Sequence, residues 1–243
     1  MNYLIKESEM PGKGADVVIS LVHNYFLLHG IGEKYLIIHA DNCSGQNKNN
    51  LMIAYLTWRV MMGYHDRITY SFIIAGHTKF SPDSFFGLFK LALAKSEVDD
   101  LDDLIKVVEN STTNRYNVVQ TVFDKNGKQV VYFYNWSEWL KEYFKIVPNI
   151  LKQHHFIFDN EYKGKVEISS SINGEKNLIE IWRKDLKIGA KPSPATTPLP
   201  GLSAARQWYL FDEVRKHVQV REKQDCLCPE PTIPRPPKST KKN

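Results

Sequence analysis

The residue types that could do chemistry lie in two short polar segments, HADNCSGQNKNN (39–50) and GHTKFSPD (76–83). Asp41 is a carboxylate at the end of an apolar run, with Asn42, Gln46, Asn47 and Lys48 close behind it. Asp83 follows His77 and Lys79 and falls in the opening turn of an expected helix. Two carboxylates so placed approach each other most often to share a divalent cation. Magnesium takes oxygen ligands and keeps several waters. A pair of such ions clamps the attacking and leaving oxygens of a phosphoryl transfer. The candidate catalytic residues are therefore Asp41, Asp83 and His77, with Asp41 and Asp83 as ligands to magnesium or manganese. His77 has the chemistry of a further ligand or of a general acid–base group. Asn42, Gln46, Asn47, Lys48 and Lys79 are the candidate substrate-binding residues, the two lysines as partners for phosphate.

A purely structural reading competes at each position. Asp83 also suits the positive end of a helix dipole, and Asp41 is able to cap a following helix. The cap reading is weaker for Asp41, because the clearest helical pattern begins only near Asn50. His39, inside an apolar strand, reads as a hydrogen-bonded core histidine. His154 and His155 open a strand and point to alternate faces, so packing is the better reading for them. Cys43 has no histidine at a spacing that supports a nucleophile.

The elements that must position these residues follow from periodicity. Ala15–Leu28 has Val18, Leu21, Val22 and Tyr25 at helical spacing, with Gly30 beyond it as a C-cap. Tyr35–Ala40 is too short for a buried helix and reads as a central strand buried on both faces. Helix pattern resumes at Leu51, Tyr55, Trp58 and Met62. Ile68–Ile74 alternates as a strand. Ser81-Pro82-Asp83 opens a helix whose expected core stripe is Phe85, Leu88, Phe89 and Ala92. Another helix is expected over about Asp99–Val108. Strand alternating with helix argues for a largely parallel sheet covered by helices. Ligands bind such sheets beyond the carboxyl ends of the strands, where both polar segments lie.

From Val118 the texture changes. Val118–Phe123 and Val130–Tyr134 flank Asn126-Gly127 and read as a hairpin. WSEWLKEYF reads as a short helix, and HHFIF, KVEIS and IEIWR as strands, with a second turn at Asn173-Gly174. The expected organisation is an α/β domain over 1–109, a small α+β region over 110–188, a linker over 189–202, a helix over 203–220 and a disordered tail over 221–243.

Composition sets bounds on function. The chain has 243 residues, 42% of them hydrophobic, enough for one substantial core or two small ones. A net charge of +5 permits a polyanionic partner without demanding one. Three cysteines make no disulfide framework and no structural zinc set, which suits a reducing, intracellular compartment. The first residues lack the apolar stretch of a secretory signal, and no apolar run approaches the ~20 residues that span a membrane.

The stretches LIIHADNCSGQNKNNLMIAYLTWRVMMG and SFIIAGHTKFSPDSFFGLFK, with GLSAARQWYLFDEVR later, resemble an uncharacterised domain family of transposon-rich genomes. That family's pattern is similar to the DDE transposases, which use a ribonuclease-H-like fold and two magnesium ions. The resemblance implies a ribonuclease-H-like mixed sheet with flanking helices, truncated at its N-terminus. Asp41 then takes the second acid position, at the end of the fourth strand, and Asp83 the third. Asn2–Ile5 would be the third strand. The first acid belongs on a strand that would precede this chain, and Glu7 and Glu9 follow the wrong strand to replace it. The function implied is a transposase-derived, nucleic-acid phosphodiester-processing domain with an incomplete acid set, acting on DNA in the nucleus. The alternative is a non-catalytic DNA- or protein-binding remnant. Missing strands would also leave an open sheet edge, which invites self-association. A phosphoesterase-type metallohydrolase ranks third, since no Asp-x-His or Gly-Asn-His supplies its further ligands.

Overall fold

The computed structural model describes residues 1–72, 81–183 and 194–237. In chain order the strands are β1 (Asn2–Leu4), β2 (Tyr35–Ala40), β3 (Arg67–Phe72), β4 (Val119–Thr121), β5 (Phe133–Tyr134), β6 (His155–Asp159), β7 (Lys165–Ser169), β8 (Asn177–Glu180) and β9 (Thr196–Thr197). The helices are α1 (Ala15–His29), α2 (Asn50–Met61), α3 (Ser81–Leu93), α4 (Leu101–Asn110), α5 (Trp136–Tyr143), α6 (Ala204–Tyr209) and α7 (Gln224–Leu227). These elements form two compact units, each built from separate pieces of chain. One comprises 11–78 and 129–198, the other 1–10, 79–128 and 199–243.

The first unit holds a five-stranded mixed sheet in the order β2-β3-β6-β7-β8. Within it β2 and β3 run parallel, and β6, β7 and β8 continue antiparallel. The β2–α2–β3 crossover explains the parallel pair, since parallel neighbours need a long connection. Short turns explain the antiparallel β6–β7 and β7–β8 pairs, the latter with the Gly174 amide donating to the Ser171 carbonyl, whereas β6 joins β3 across a long connection. The sheet is therefore mixed rather than largely parallel. The region expected to stand apart after residue 109 contributes three of its strands. Phe156 and Phe158 on β6 are buried beside Tyr70 and Ile68 on β3, which makes one core of both stretches.

Helix α2 fills that core. Every residue from Met52 to Val60 is buried, including Thr57 and Arg59, as expected of a helix that is apolar almost all round. Trp136 and Leu140 of α5 and Ile19 of α1 complete the cluster. One face of the sheet thus packs on helices. On β2 the opposite face is open, with Tyr35 75% and Ile37 70% exposed. β2 is an edge strand with alternating exposure, not a central strand buried on both faces. Its apolar outward residues imitate the continuous hydrophobic run of a buried strand.

An unusual polar chain crosses the helical layer. The Arg59 guanidinium is buried, with its Cζ 4.2 Å from the Phe26 ring centroid and 5.0 Å from that of Tyr64. Arg59 Nε donates to His65 Nε2 at 3.0 Å, and His65 Nδ1 donates to the Glu33 carbonyl at 2.6 Å. Arg59 Nη1 donates to the Tyr55 hydroxyl at 3.0 Å, which lies 3.2 Å from His23 Nδ1. The His23 ring sits among Tyr55, Trp58, Tyr134 and Trp136, with centroid separations of 5.0–6.0 Å. Burial first, and then the Arg59 charge, lower the His23 pKa to about 4.

In the second unit β1 pairs in parallel with β4, and Asn2 also bonds the Asn117 side chain. The segment expected as the third strand of a ribonuclease-H-like sheet thus takes β4 as its partner. The turn at Asp124–Lys128 forms, with Gly127 at φ 76° and Asp124 Oδ1 accepting from the Asn126 and Lys128 amides. The flanking strands do not make the expected hairpin, because β4 pairs with β1 and β5 with β9. Helix α3 starts at Ser81 as expected, although Leu88 of its expected core stripe is exposed. From α6 the helical path continues through π and 3-10 turns to His217. The tail expected to be disordered has structure as far as residue 237. Trp208 Nε1 donates to the Ile233 carbonyl at 3.1 Å, and the Arg235 guanidinium lies 4.0 Å from the Trp208 ring centroid and pairs with Asp212.

Candidate functional site

Residues 41–49 connect β2 to α2 and form a closely bonded loop. Asp41 Oδ1 accepts from Asn47 Nδ2 at 2.7 Å and from the Cys43 amide at 3.0 Å. The Cys43 carbonyl receives the amides of Gln46, Asn47 and Lys48 at 2.8–3.2 Å. Asn49 caps α2, its side chain accepting from the Met52 amide at 3.0 Å, a contact that satisfies one orphan donor of the helix. The Gln46 side chain reaches the Lys13 carbonyl at 3.2 Å. From β3 the Tyr70 hydroxyl donates to the Asn47 carbonyl at 3.1 Å. Burial, reinforced by the Asp41 charge, raises the Tyr70 pKa, so the phenol stays a donor.

Asp41 remains exposed, and both of its hydrogen bonds go to Oδ1. Among the described residues Oδ2 accepts no hydrogen bond. Lys48 behaves otherwise. It is 3% exposed, and its Nζ donates to Asn42 Oδ1 at 2.9 Å, lies 3.4 Å from His154 Nδ1 and sits 5.1 Å from the Phe72 ring centroid. Burial lowers its pKa, and His154 is held toward the neutral form by burial and by the Lys48 charge. A lysine expected to meet phosphate in solvent is thus turned inward, because its aliphatic stem is buried and its head is taken by Asn42.

The other side of the sheet carries a polar row that the sequence reading missed. His39, Ser71, His155 and Ser169 occupy one cross-strand rung over β2, β3, β6 and β7. Ser71 Oγ lies 3.0 Å from His155 Nδ1. Burial and the neighbouring His39 both lower the His155 pKa. His39 is exposed rather than a core histidine. Only the pairing of β6 with β3 assembles this row, and no local spacing signals it.

The structure gathers Asp41, Asn42, Gln46, Asn47 and Lys48 into one loop. Asp83 belongs to the other unit, exposed in the first turn of α3. His77 and Lys79 lie outside the described residues. Among the described residues no group of three or more His, Cys, Asp or Glu side chains is placed to hold a metal ion. No helix among them is long and apolar enough to cross a membrane.

Residues 9–173 match the family model described as a domain of unknown function, DUF7869. The chain belongs to the DUF7869 family. The matched DUF7869 region contains both polar segments and the strands β2, β3, β6 and β7, and it ends before β8 and α6. No curated protein and no solved structure matches the chain.

Proposed function

We propose that this DUF7869 chain is a transposase-derived, nucleic-acid phosphodiester-processing domain of ribonuclease-H-like descent, with an incomplete acid set. The supporting observation is the placement of Asp41. It follows the last residue of a strand in a parallel β–α–β pair, with one carboxylate oxygen that accepts no hydrogen bond among the described residues, and Asp83 opens the helix that comes after the second of those strands in the chain. Ligands of such sheets gather beyond the strand ends. One exposed carboxylate fits a hydrated magnesium or manganese ion, since magnesium accepts one or two carboxylates and keeps its waters. By the family resemblance, Asp41 and Asp83 are the proposed metal ligands and His77 the proposed acid–base group. The ion would supply charge neutralisation at phosphate. Asn42, Gln46 and Asn47 shape the Asp41 loop, and Lys79 remains the candidate phosphate contact. On this reading the partner is DNA and the site of work the nucleus.

Calorimetric titration with magnesium and manganese tests this reading in the full chain and in Asp41→Ala and Asp83→Ala. Saturable binding lost in both variants is the expected result. No binding up to millimolar metal would refute the metal-dependent reading. The second reading, a non-catalytic binding remnant, is favoured by the inward turn of Lys48 and by the missing third ligand among the described residues. It predicts salt-sensitive DNA affinity that is unchanged by Asp41→Ala.

A further inference from the structure

Trp208, Phe211, Asp212 and Arg215 follow one another at three- and four-residue spacing, so they share one face of the helical path that begins with α6. The middle of that path, Leu210–Val214, is a π-helical turn, a rare geometry that concentrates at functional sites. The chain returns over this face between residues 225 and 235. Arg215 holds the first part of the return. Its guanidinium pairs with Asp225, donates to the Cys228 carbonyl at 3.0 Å and lies 5.3 Å from the Phe211 ring centroid. The last part is held by three contacts of different kinds. Trp208 Nε1 donates to the Ile233 carbonyl at 3.1 Å. The Arg235 Cζ lies 4.0 Å from the Trp208 ring centroid. Arg235 Nη1 and Nη2 donate to both carboxylate oxygens of Asp212.

We propose that the Trp208–Asp212 face is a recognition site for an extended, proline-rich segment carrying an arginine, and that residues 233–236 of this chain are its resident, exchangeable ligand. The inference rests on residues outside the family match and is independent of any phosphodiester chemistry. The ligand is shaped before it docks. Ile233, Arg235 and Pro236 each precede a proline, which keeps them out of the helical region, and Pro234, Pro236 and Pro237 have φ fixed by their rings. An extended polyproline-type segment therefore gives up little entropy on binding. The receptor reads it in two ways. The indole N–H takes a main-chain carbonyl, which any extended segment offers, and an aromatic surface is the usual dock for proline-rich chain. Trp208 and Asp212 together read the arginine, because a planar guanidinium lies over a ring and forks onto a carboxylate at once, which a lysine ammonium does not. The contact is built to open. The Arg235 and Asp212 side chains are 54% and 34% exposed, and exposed ion pairs are weak. The tail thus leaves the face without disturbing the buried core, and a segment of the same chemistry from another protein takes its place.

The indole N–H resonance of Trp208 in the full chain, assigned among the five tryptophans with Trp208→Phe, is the readout. The probe is the peptide PTIPRPP, the sequence of residues 231–237. Arg235→Ala should shift the resonance by releasing the tail, with circular dichroism unchanged. Added peptide should then return it toward its parent position. Half-saturation should come at a peptide concentration at least about tenfold lower in Arg235→Ala than in the parent, whose tethered tail competes at an effective concentration in the millimolar range. The peptide PTIPAPP should not restore the resonance, and Asp212→Asn added to Arg235→Ala should abolish the rescue. Arg235→Lys provides a second release variant that keeps the charge, and PTIPRPP should rescue it as well. An unmoved Trp208 resonance in both Arg235 variants overturns the proposal. So does a released face that millimolar PTIPRPP fails to occupy, or one that PTIPAPP occupies equally well, since the arginine would then not be read.

Discussion

Acidification should destabilise this protein in part through His23. Its imidazole is enclosed by four aromatic rings and faces the Arg59 guanidinium across the Tyr55 hydroxyl. Burial and that charge lower its pKa from 6.5 to about 4 in the folded protein. The folded state therefore binds this proton less readily than the unfolded chain. Above pH 6.5 the residue contributes no pH dependence. As pH falls from 6.5 toward about 4 stability is lost, and below about 4 the loss is complete. At about 1.4 kcal/mol per pH unit the interval amounts to about 3 kcal/mol. That is a large part of a net stability of ~5–15 kcal/mol. His65, His154 and His155 shift in the same direction, chiefly through burial, so a single acid denaturation curve does not isolate His23. The comparison needed is with His23→Phe, which keeps a ring in the aromatic enclosure and cannot titrate. Urea denaturation at pH 7, 6, 5 and 4, followed by the fluorescence of the buried Trp58 and Trp136, gives the stability of each protein. The gap between the two should close by about 3 kcal/mol from pH 7 to pH 4. Parallel losses over that range would refute the argument and assign the acid sensitivity elsewhere.

Two further outcomes are expected. Gly164 has φ 79°, and a Cβ there would lie 2.7 Å from the Trp182 Cβ, so Gly164→Ala should cost roughly 1–3 kcal/mol in thermal or urea unfolding. Lys48→Met should leave the salt dependence of any DNA binding unchanged, because the ammonium faces Asn42 and His154 rather than solvent; a phosphate contact would reduce the slope of log affinity against log salt by about one.

Local pattern was enough to read α1, α2, β2, α5, β7 and the turn that follows it, since each depends on its own periodicity, cap or turn. Gly30 and Asn173-Gly174 mark ends and turns that the structure contains. Partner choice between distant strands was not legible. Val119–Thr121 alternates equally well beside a hairpin partner or beside β1, and only packing decides. The burial of Lys48 was hidden for the same reason, as His154 approaches it from more than a hundred residues away. The open outer face of β2 was misread because exposed and buried apolar residues look alike in sequence. At the candidate site, Asp41 was legible as a strand-end carboxylate, whereas the Ser71–His155 contact depends on a rung that joins two distant segments.

The interleaving of the two units has a consequence for how the chain comes into being. Chain passes from one unit to the other four times, at about residues 10, 78, 128 and 198. A nascent polypeptide that has exposed β2, α2 and β3 must wait for β6, more than eighty residues later, before Ile68 and Tyr70 acquire their antiparallel neighbours. The other unit waits longer, because α6, α7 and the Ile233 and Arg235 partners of Trp208 emerge last. Neither unit is a stretch of sequence that a single cut releases whole, so a fragment ending near residue 109 leaves both with unmatched edges. Such late, long-range closure slows folding and prolongs the exposure of apolar strands. The yield of folded protein during synthesis should therefore depend on temperature and chaperone supply more steeply than the stability of the finished molecule does.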